Sequence, residues 1–459
     1  MTKIAKSMSR RAFLQGVGVV GIGGALAACA TVPGGSNTAA GGENAPAAEG
    51  KTIQFWVFWG QPGVIAEQIL ADEALQSALN GNKLDFRTGV NEEARLTAVA
   101  GGLPPDIGAL SNYQSFMATG VVMPLDDYIA TSDVISQDKF IEANWQVCQY
   151  EGKMYGIPAL ECFLRSGFNY NSRMVEEAGL DPATPPTTWD ELFAWHETLT
   201  KFDDAGNLIQ IGIDPYDAIG SSWGTGSIIA NSWGFIWYDE GTGEFNLDNE
   251  MVATGLDTMG EFVKLIGPDN LTGMRSVEGQ GTWGGSYNAE VQAMILEGYW
   301  HPGETTNEAP EVAKYNRATW IPVPEERRGT RVQYGGGHMV QIFRDAKYHD
   351  EAWPVAEWLQ SNSANDLLFN NIGWLPAYIP YYDSVDQGKY PGLQWYFDSV
   401  EQSTYWGPVV LCPIQPFIQQ KYAQYREAVY RGEMTGAEAA ASWQDDAVKE
   451  LRESGFAKS

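Results

Sequence analysis

The sequence predicts an α/β fold built on a mostly parallel sheet, and three observations lead there. From Lys51 onward, apolar runs of strand length alternate with runs of helical spacing: strands over 53–58, 83–88 and 106–110, helices over 64–79, 92–100 and up to Gly120. The links between them are short, Gly101-Gly102 closing one helix and Ser111-Asn112-Tyr113-Gln114 reading as a capping box for the next. The chain has 459 residues, enough for two or three domains and a sizeable core. Strict alternation with short links means parallel strands covered by helices on both faces. Ligands of such sheets sit beyond the carboxyl ends of the strands. Those ends are Trp59-Gly60-Gln61, Gly89-Val90-Asn91 and Ser111 to Gln114.

The elements begin only after an address. Lys3, Lys6, Arg10 and Arg11 make a basic start, Ser9-Arg10-Arg11-Ala12-Phe13-Leu14 reads as a twin-arginine export motif, and a Gly-rich apolar run follows to Leu26. Leu26-Ala27-Ala28-Cys29 then reads as a lipobox, with residues 1–28 as the signal peptide and Cys29 as the lipid acceptor. Gly16-x-Gly18-x-x-Gly21 matches a dinucleotide fingerprint, but no strand precedes it and it lies in the segment to be removed. Residues 29–50, poor in core-forming side chains, read as a flexible lipid-anchored tether reaching on the order of 25 Å. No other run approaches the roughly 18 apolar residues of a membrane span.

Farther along, Gly152-Lys153 makes a polar turn, residues 154–160 an apolar run kinked at Pro158, and Phe168 and Tyr170 a second run: strand, kink, strand. Asn171-Ser172 offers an N-cap, Met174, Val175 and Ala178 carry helical spacing, Gly179 ends that helix, and Thr188-x-x-Glu191 is a capping box opening another. In order, GK-x-Y-G-I-P, Y-N-x-x-x-x-x-E-A-G-L-D-P and P-P-T-T-W-D-E-L resemble the family 1 extracellular solute-binding proteins of ABC importers, which include maltose-type sugar-binding proteins. P-L-D-D-Y at 124–128 resembles the same family, as do the small-residue-Met pair before Gly298-Tyr299-Trp300 and the loop Gly373-Trp374-Leu375-Pro376.

The resemblance implies a type II periplasmic-binding-protein-like fold: two α/β lobes joined by a multi-strand hinge, with the ligand cleft between them. Lobe 1 would take 51–157 and 325–372, lobe 2 158–324 and 373–459. It places a hinge strand and binding wall at 155–165 and implies a sugar or oligosaccharide as ligand, an ABC permease as partner, no cofactor and no catalysis. The candidate ligand-binding residues are Trp59, Gln61, Ser111, Asn112 and Tyr113 on the first lobe, Glu161 and Arg165 at the hinge, and Trp223, Trp233, Trp283, Trp300 and Trp374 as aromatic walls. The residue types suit that chemistry independently, since aromatic faces pack on pyranose C–H groups while carboxylates, amides and Arg forks take hydroxyls. Gly167-Phe168-Asn169-Tyr170-Asn171 departs from the family's Tyr-Tyr-Asn run, so the pocket facing it is expected to differ.

Residues 200–320 read as loop-rich, with helices over 251–266 and 289–297 and a strand over 319–324 as the return crossing. A strand over 339–343 and a last helix opened by Thr435-x-x-Glu438 complete the chain. With 29 basic against 58 acidic side chains, the net charge of −29 argues against nucleic acid and anionic membrane surfaces. Seventeen tryptophans suit both a large core and a ligand gripped by ring faces. His196, His301, His338 and His349 make no metal spacing, and there is no HExxH, Walker loop or CxxC. Gly220-Ser221-Ser222-Trp223-Gly224 fits G-x-S-x-G, but no buried strand precedes it and no helix follows. An exported carbohydrate-active enzyme and a binder of a cationic solute such as a polyamine, held by an aromatic cage and carboxylates, are the alternatives. Cys148, Cys162 and Cys412 remain after lipidation, and a Cys148–Cys162 disulfide across the hinge strand is one possibility. The protein is expected to act as a monomer.

Overall fold

The computed structural model describes residues 50–109, 113–224, 226–276 and 284–458. The expected signal peptide and nearly all of the tether, together with Ser111, Asn112, Trp283 and the side chain of Tyr113, lie outside the described residues.

Among the described residues, nine strands form the two larger sheets: β1 Thr52–Val57, β2 Lys83–Arg87, β3 Ile107–Ala109, β4 Phe168–Asn171, β5 Lys201–Phe202, β6 Leu208–Ile213, β7 Gln292–Leu296, β8 Asn316–Thr319 and β9 Val340–Ile342. The first sheet has the order β9-β3-β1-β2, with β1 parallel to β2 and β3 and β9 antiparallel at the edge. Ile53, Phe55, Val57 and Ile107 are buried in it, as expected of strands covered on both faces. The second sheet runs β8-β4-β7-β6-β5, with only β7 and β6 parallel.

Local signals set several elements as read. Asn171 accepts from the backbone N–H groups of Arg173 and Met174, and both capping boxes, Thr188/Glu191 and Thr435/Glu438, are formed. The last helix, Gly436–Glu453, buries Ala440, Trp443, Ala447 and Leu451 against the helices Glu250–Ile266 and Gln415–Tyr430.

Five expectations need correction. The helix over 64–79 is broken at Asp72, whose extended backbone lets its carboxylate cap a separate helix, Glu73–Leu79, through the Leu75 N–H (2.9 Å). The helix expected over 289–297 is instead β7, the central strand of the second sheet. All five of its residues are buried, and a short apolar run buried on every side has no period by which to tell strand from helix. Residues 200–320 accordingly hold four strands of the second sheet, β5, β6, β7 and β8, where loops and helices were expected. The hinge segment forms no regular strand; it is irregular chain joined to the returning chain by the single bridges Ile157–Val340 and Leu164–Gly335. The chain after β8 is not the return crossing, because Val323 pairs with Thr188 and so stays with the second sheet.

The crossing is pinned by one side chain. Asn144 is fully buried, and its Nδ2 donates to the carbonyls of Cys162 (3.0 Å), Phe163 (3.0 Å) and Gly336 (2.8 Å), tying outgoing and returning chains together. Gly337, at φ +143°, is required there: a Cβ would lie 2.7 Å from Cys162 Cα and 2.8 Å from the Glu161 carbonyl oxygen. Cys148, Cys162 and Cys412 are free, buried thiols. Among the described residues no helix is long and apolar enough to cross a membrane.

Candidate functional site

The crossing sets the geometry of a cavity of about 620 Å³. His338 N–H donates to the Glu161 carbonyl (3.3 Å) and Cys162 N–H to the Leu375 carbonyl (3.0 Å), so three chain segments far apart in sequence lie side by side. Leu160, at φ +65°, is a non-glycine residue in the left-handed region just before Glu161. Together these bring Glu161, His338 and Trp374 to one wall. Phe58, Trp59 and Gln61 enter from beyond the carboxyl end of β1, and Gln114 from the helix Tyr113–Thr119. Ser222 and Trp223 come from the turn after β6, Trp300 and Glu304 from the helical segment after β7, and Gln415 and Gln419 from the helix Gln415–Tyr430.

Of the residues singled out in the sequence, Trp59, Gln61, Glu161, Arg165, Trp223, Trp300 and Trp374 line this cavity. Trp233 does not. It is stacked on Trp189 (5.7 Å, 26°) inside the second lobe's core, where a run of apolar neighbours in the helix Ile228–Trp233 is buried with it. Phe58, Gln114, Ser222, Glu304, His338, Gln415 and Gln419 were missed. A signal existed for two of them: Gln114 ends the strand-end segment already noted, and Glu304 follows Trp300 by one helical turn.

The rings meet edge to face. Trp59 lies 5.3 Å from Trp374 at 71° and 4.1 Å from His338 at 88°, and Trp223 is backed by Trp443 at 4.5 Å and 69°. The Arg165 guanidinium sits 4.7 Å from the centre of the Trp300 ring and pairs with Glu161 Oε2 at 2.9 Å. Burial raises the Glu161 pKa against the opposing pull of Arg165. Burial, then the charges of Arg165 and Arg95, hold His338 well below the usual histidine range, so its ring is neutral. Burial and then Glu297 push the Glu304 carboxyl well above the carboxylate range, with the Trp374 N–H (2.7 Å) opposing them.

Several wall atoms have their hydrogen-bonding capacity unspent. Glu161 Oε1, Gln415 Oε1 and Trp223 Nε1 are buried and have no partner among the described residues. The Tyr299 hydroxyl near Glu161 cannot serve it, because its one proton goes to the Leu375 carbonyl (2.8 Å). A buried polar atom left unpaired costs about 1–3 kcal/mol, so these atoms lack a partner that the described residues do not supply.

A two-lobed α/β molecule with a largely apolar, indole-lined cavity that carries a few polar groups is suited to holding a ligand. Residues 65–366 match the profile of the family described as bacterial extracellular solute-binding protein, and the chain belongs to that family of binding proteins rather than enzymes. A protein of Brucella abortus named for a binding role is 27% identical over 271 residues, which is 57% of this chain but only 59% of that relative. Among solved structures, CpMnBP1 with mannotriose bound is similar at a TM-score of 0.75 and 21% identity, covering 86% of this chain and 100% of that one. An ABC substrate-binding protein of Listeria monocytogenes in complex with cycloalternan gives 0.67 and 18% (88% and 99% covered). The sugar-binding protein MalE of Xanthomonas citri gives 0.65 and 18% (88% and 98% covered). The fold is the type II periplasmic-binding one.

Proposed function

We propose that this protein captures a neutral sugar or oligosaccharide between its lobes and hands it to an ABC permease. The observation that carries the reading is the mixed character of the unspent wall atoms: two acceptors, Glu161 Oε1 and Gln415 Oε1, and one donor, Trp223 Nε1, among indole rings. A hydroxyl both donates and accepts and can meet all three. A carboxylate or phosphate, which only accepts, leaves both oxygens unmet, and an ammonium, which only donates, leaves the indole unmet. That disfavours the polyamine alternative. The mannotriose bound by CpMnBP1 and the sugar-binding role of MalE point the same way.

The two lobes would close by rotation about the crossing, a ligand touching both stabilising the closed form. Export by the twin-arginine route and lipidation at Cys29 would hold a monomeric receptor on the outer face of the cell membrane. The test is thermal denaturation against mannobiose, mannotriose, maltotriose, xylobiose and spermidine. A sugar at a hundredfold excess over its dissociation constant should stabilise by about 2.7 kcal/mol and be recovered uncleaved. Stabilisation by spermidine alone, or cleavage of the sugar, refutes the reading. The anchor has its own test: Cys29→Ser should release the protein from membrane fractions.

A further inference from the structure

Two of the wall tryptophans are held by carboxyl groups that a contact list of the cavity would leave unexplained. Trp300 Nε1 donates to Glu297 Oε1 (3.1 Å), and Trp374 Nε1 donates to Glu304 Oε1 (2.7 Å). Both acids belong to one segment, Glu297-Gly298-Tyr299-Trp300-His301-Pro302-Gly303-Glu304, which leaves the end of β7 and enters the helix His301–Glu308. Trp374 comes from another part of the chain, and the backbones are pressed together beside it: a Cβ on Gly303 would lie 2.4 Å from Gly373 Cα. The distance between Glu304 and the Trp374 indole is therefore set by packing that no side chain can enter.

We propose that Glu297 and Glu304 are positioning residues for the ligand, each holding the indole N–H of one wall tryptophan so that Trp300 and Trp374 turn ring faces, not N–H groups, to the cavity. Trp223, whose N–H is unspent, is then the hydrogen-bonding ring and the other two are stacking platforms. A carboxyl oxygen can accept the indole N–H whether neutral or ionised, and only ionisation makes the bond charge-assisted, so the grip on the Trp374 ring depends on the proton at Glu304. Glu297 is 1% exposed and also binds His301 Nδ1 through Oε2. His301 Nε2 is buried without a partner among the described residues.

The two acids sense each other, Glu297 being the foremost charge acting on Glu304. Facing them are Glu308 and His301 on their own helix, Glu161 and Arg165 from the crossing, Asp217 from the turn after β6, and the phenols Tyr287 and Tyr396. Ring placement is thus linked to protonation. Acid conditions keep Glu304 neutral beside Glu297, and rising pH sets like charges against each other behind both rings.

The inference rests on the sugar-binding reading for its ligand but not for its first test. In the ligand-free full chain labelled with 15N at the indoles, the Trp300 and Trp374 N–H signals are identified by their loss in Trp300→Phe and Trp374→Phe. The Trp374 signal should move as pH rises above the ordinary carboxylate range. Glu304→Gln, whose amide oxygen can still accept the bond, should keep the signal's position but abolish its titration, and Glu304→Leu should displace it. With mannobiose or whichever of the tested sugars binds, Glu304→Leu should weaken binding about tenfold. A Trp374 signal indifferent to pH, or unchanged in Glu304→Leu, overturns the proposal. If the signals behave as described but no sugar binds, the sugar reading fails and the positioning role stands.

Discussion

Trp59→Ala isolates the ligand from the fold better than any other wall substitution, because Trp59 is only partly buried while Trp223, Trp300 and Trp374 are 1–3% exposed. Its ring meets Phe58, Trp374 and His338 edge to face and lines the cavity, where a ligand can lie against it. A pyranose laid against it would cover about 60–100 Å² of a ring worth roughly 200 Å². At about 25 cal/mol per Å² this is about 1.5–2.5 kcal/mol, or about 10- to 70-fold in Kd. The protein itself loses three edge contacts, with Phe58, His338 and Trp374, about 0.5–1.5 kcal/mol each. Calorimetric titration with the stabilising sugar reads the first quantity, and urea unfolding of the ligand-free protein reads the second. A Kd within twofold of wild type, alongside the expected loss of stability, would refute the assignment of Trp59 to the ligand and leave it a packing residue.

Two further outcomes test the scaffold. Asn144→Ala strips the amide from three buried carbonyls at the crossing and should cost about 2–4 kcal/mol in urea unfolding; a loss under about 1 kcal/mol would show that the crossing is held otherwise. Burial, then Asp214 and Glu297, push the Asp217 carboxyl up to about 8, so the folded state keeps a proton that the unfolded chain releases near pH 4. Stability should therefore fall as pH rises from about 4 to about 8. Asp217→Asn, which can still accept from the Ala218 N–H, should flatten that slope, and an unchanged slope would place the proton elsewhere.

The sequence by itself determined whatever depends on neighbours within one helical turn or on a two-residue alternation. The N-cap at Asn171, the boxes at Thr188 and Thr435, and the parallel run of β1, β2 and β3 are local chemistry, and each is present. The aromatic richness of the site was also legible, because indoles at strand ends and in Gly-Trp turns are visible as such. Tertiary structure alone decided which indoles face the cavity: Trp223 and Trp233 lie ten residues apart in similar surroundings, yet one meets the cavity and the other stacks on Trp189. It also decided that 292–296 is a strand, since burial on every side erases the period that distinguishes strand from helix. Glu304 and His338 became site residues only where Gly303 packs on Gly373 and Gly337 on Cys162. Those close approaches join residues far apart in the chain, and no spacing along a single chain encodes them.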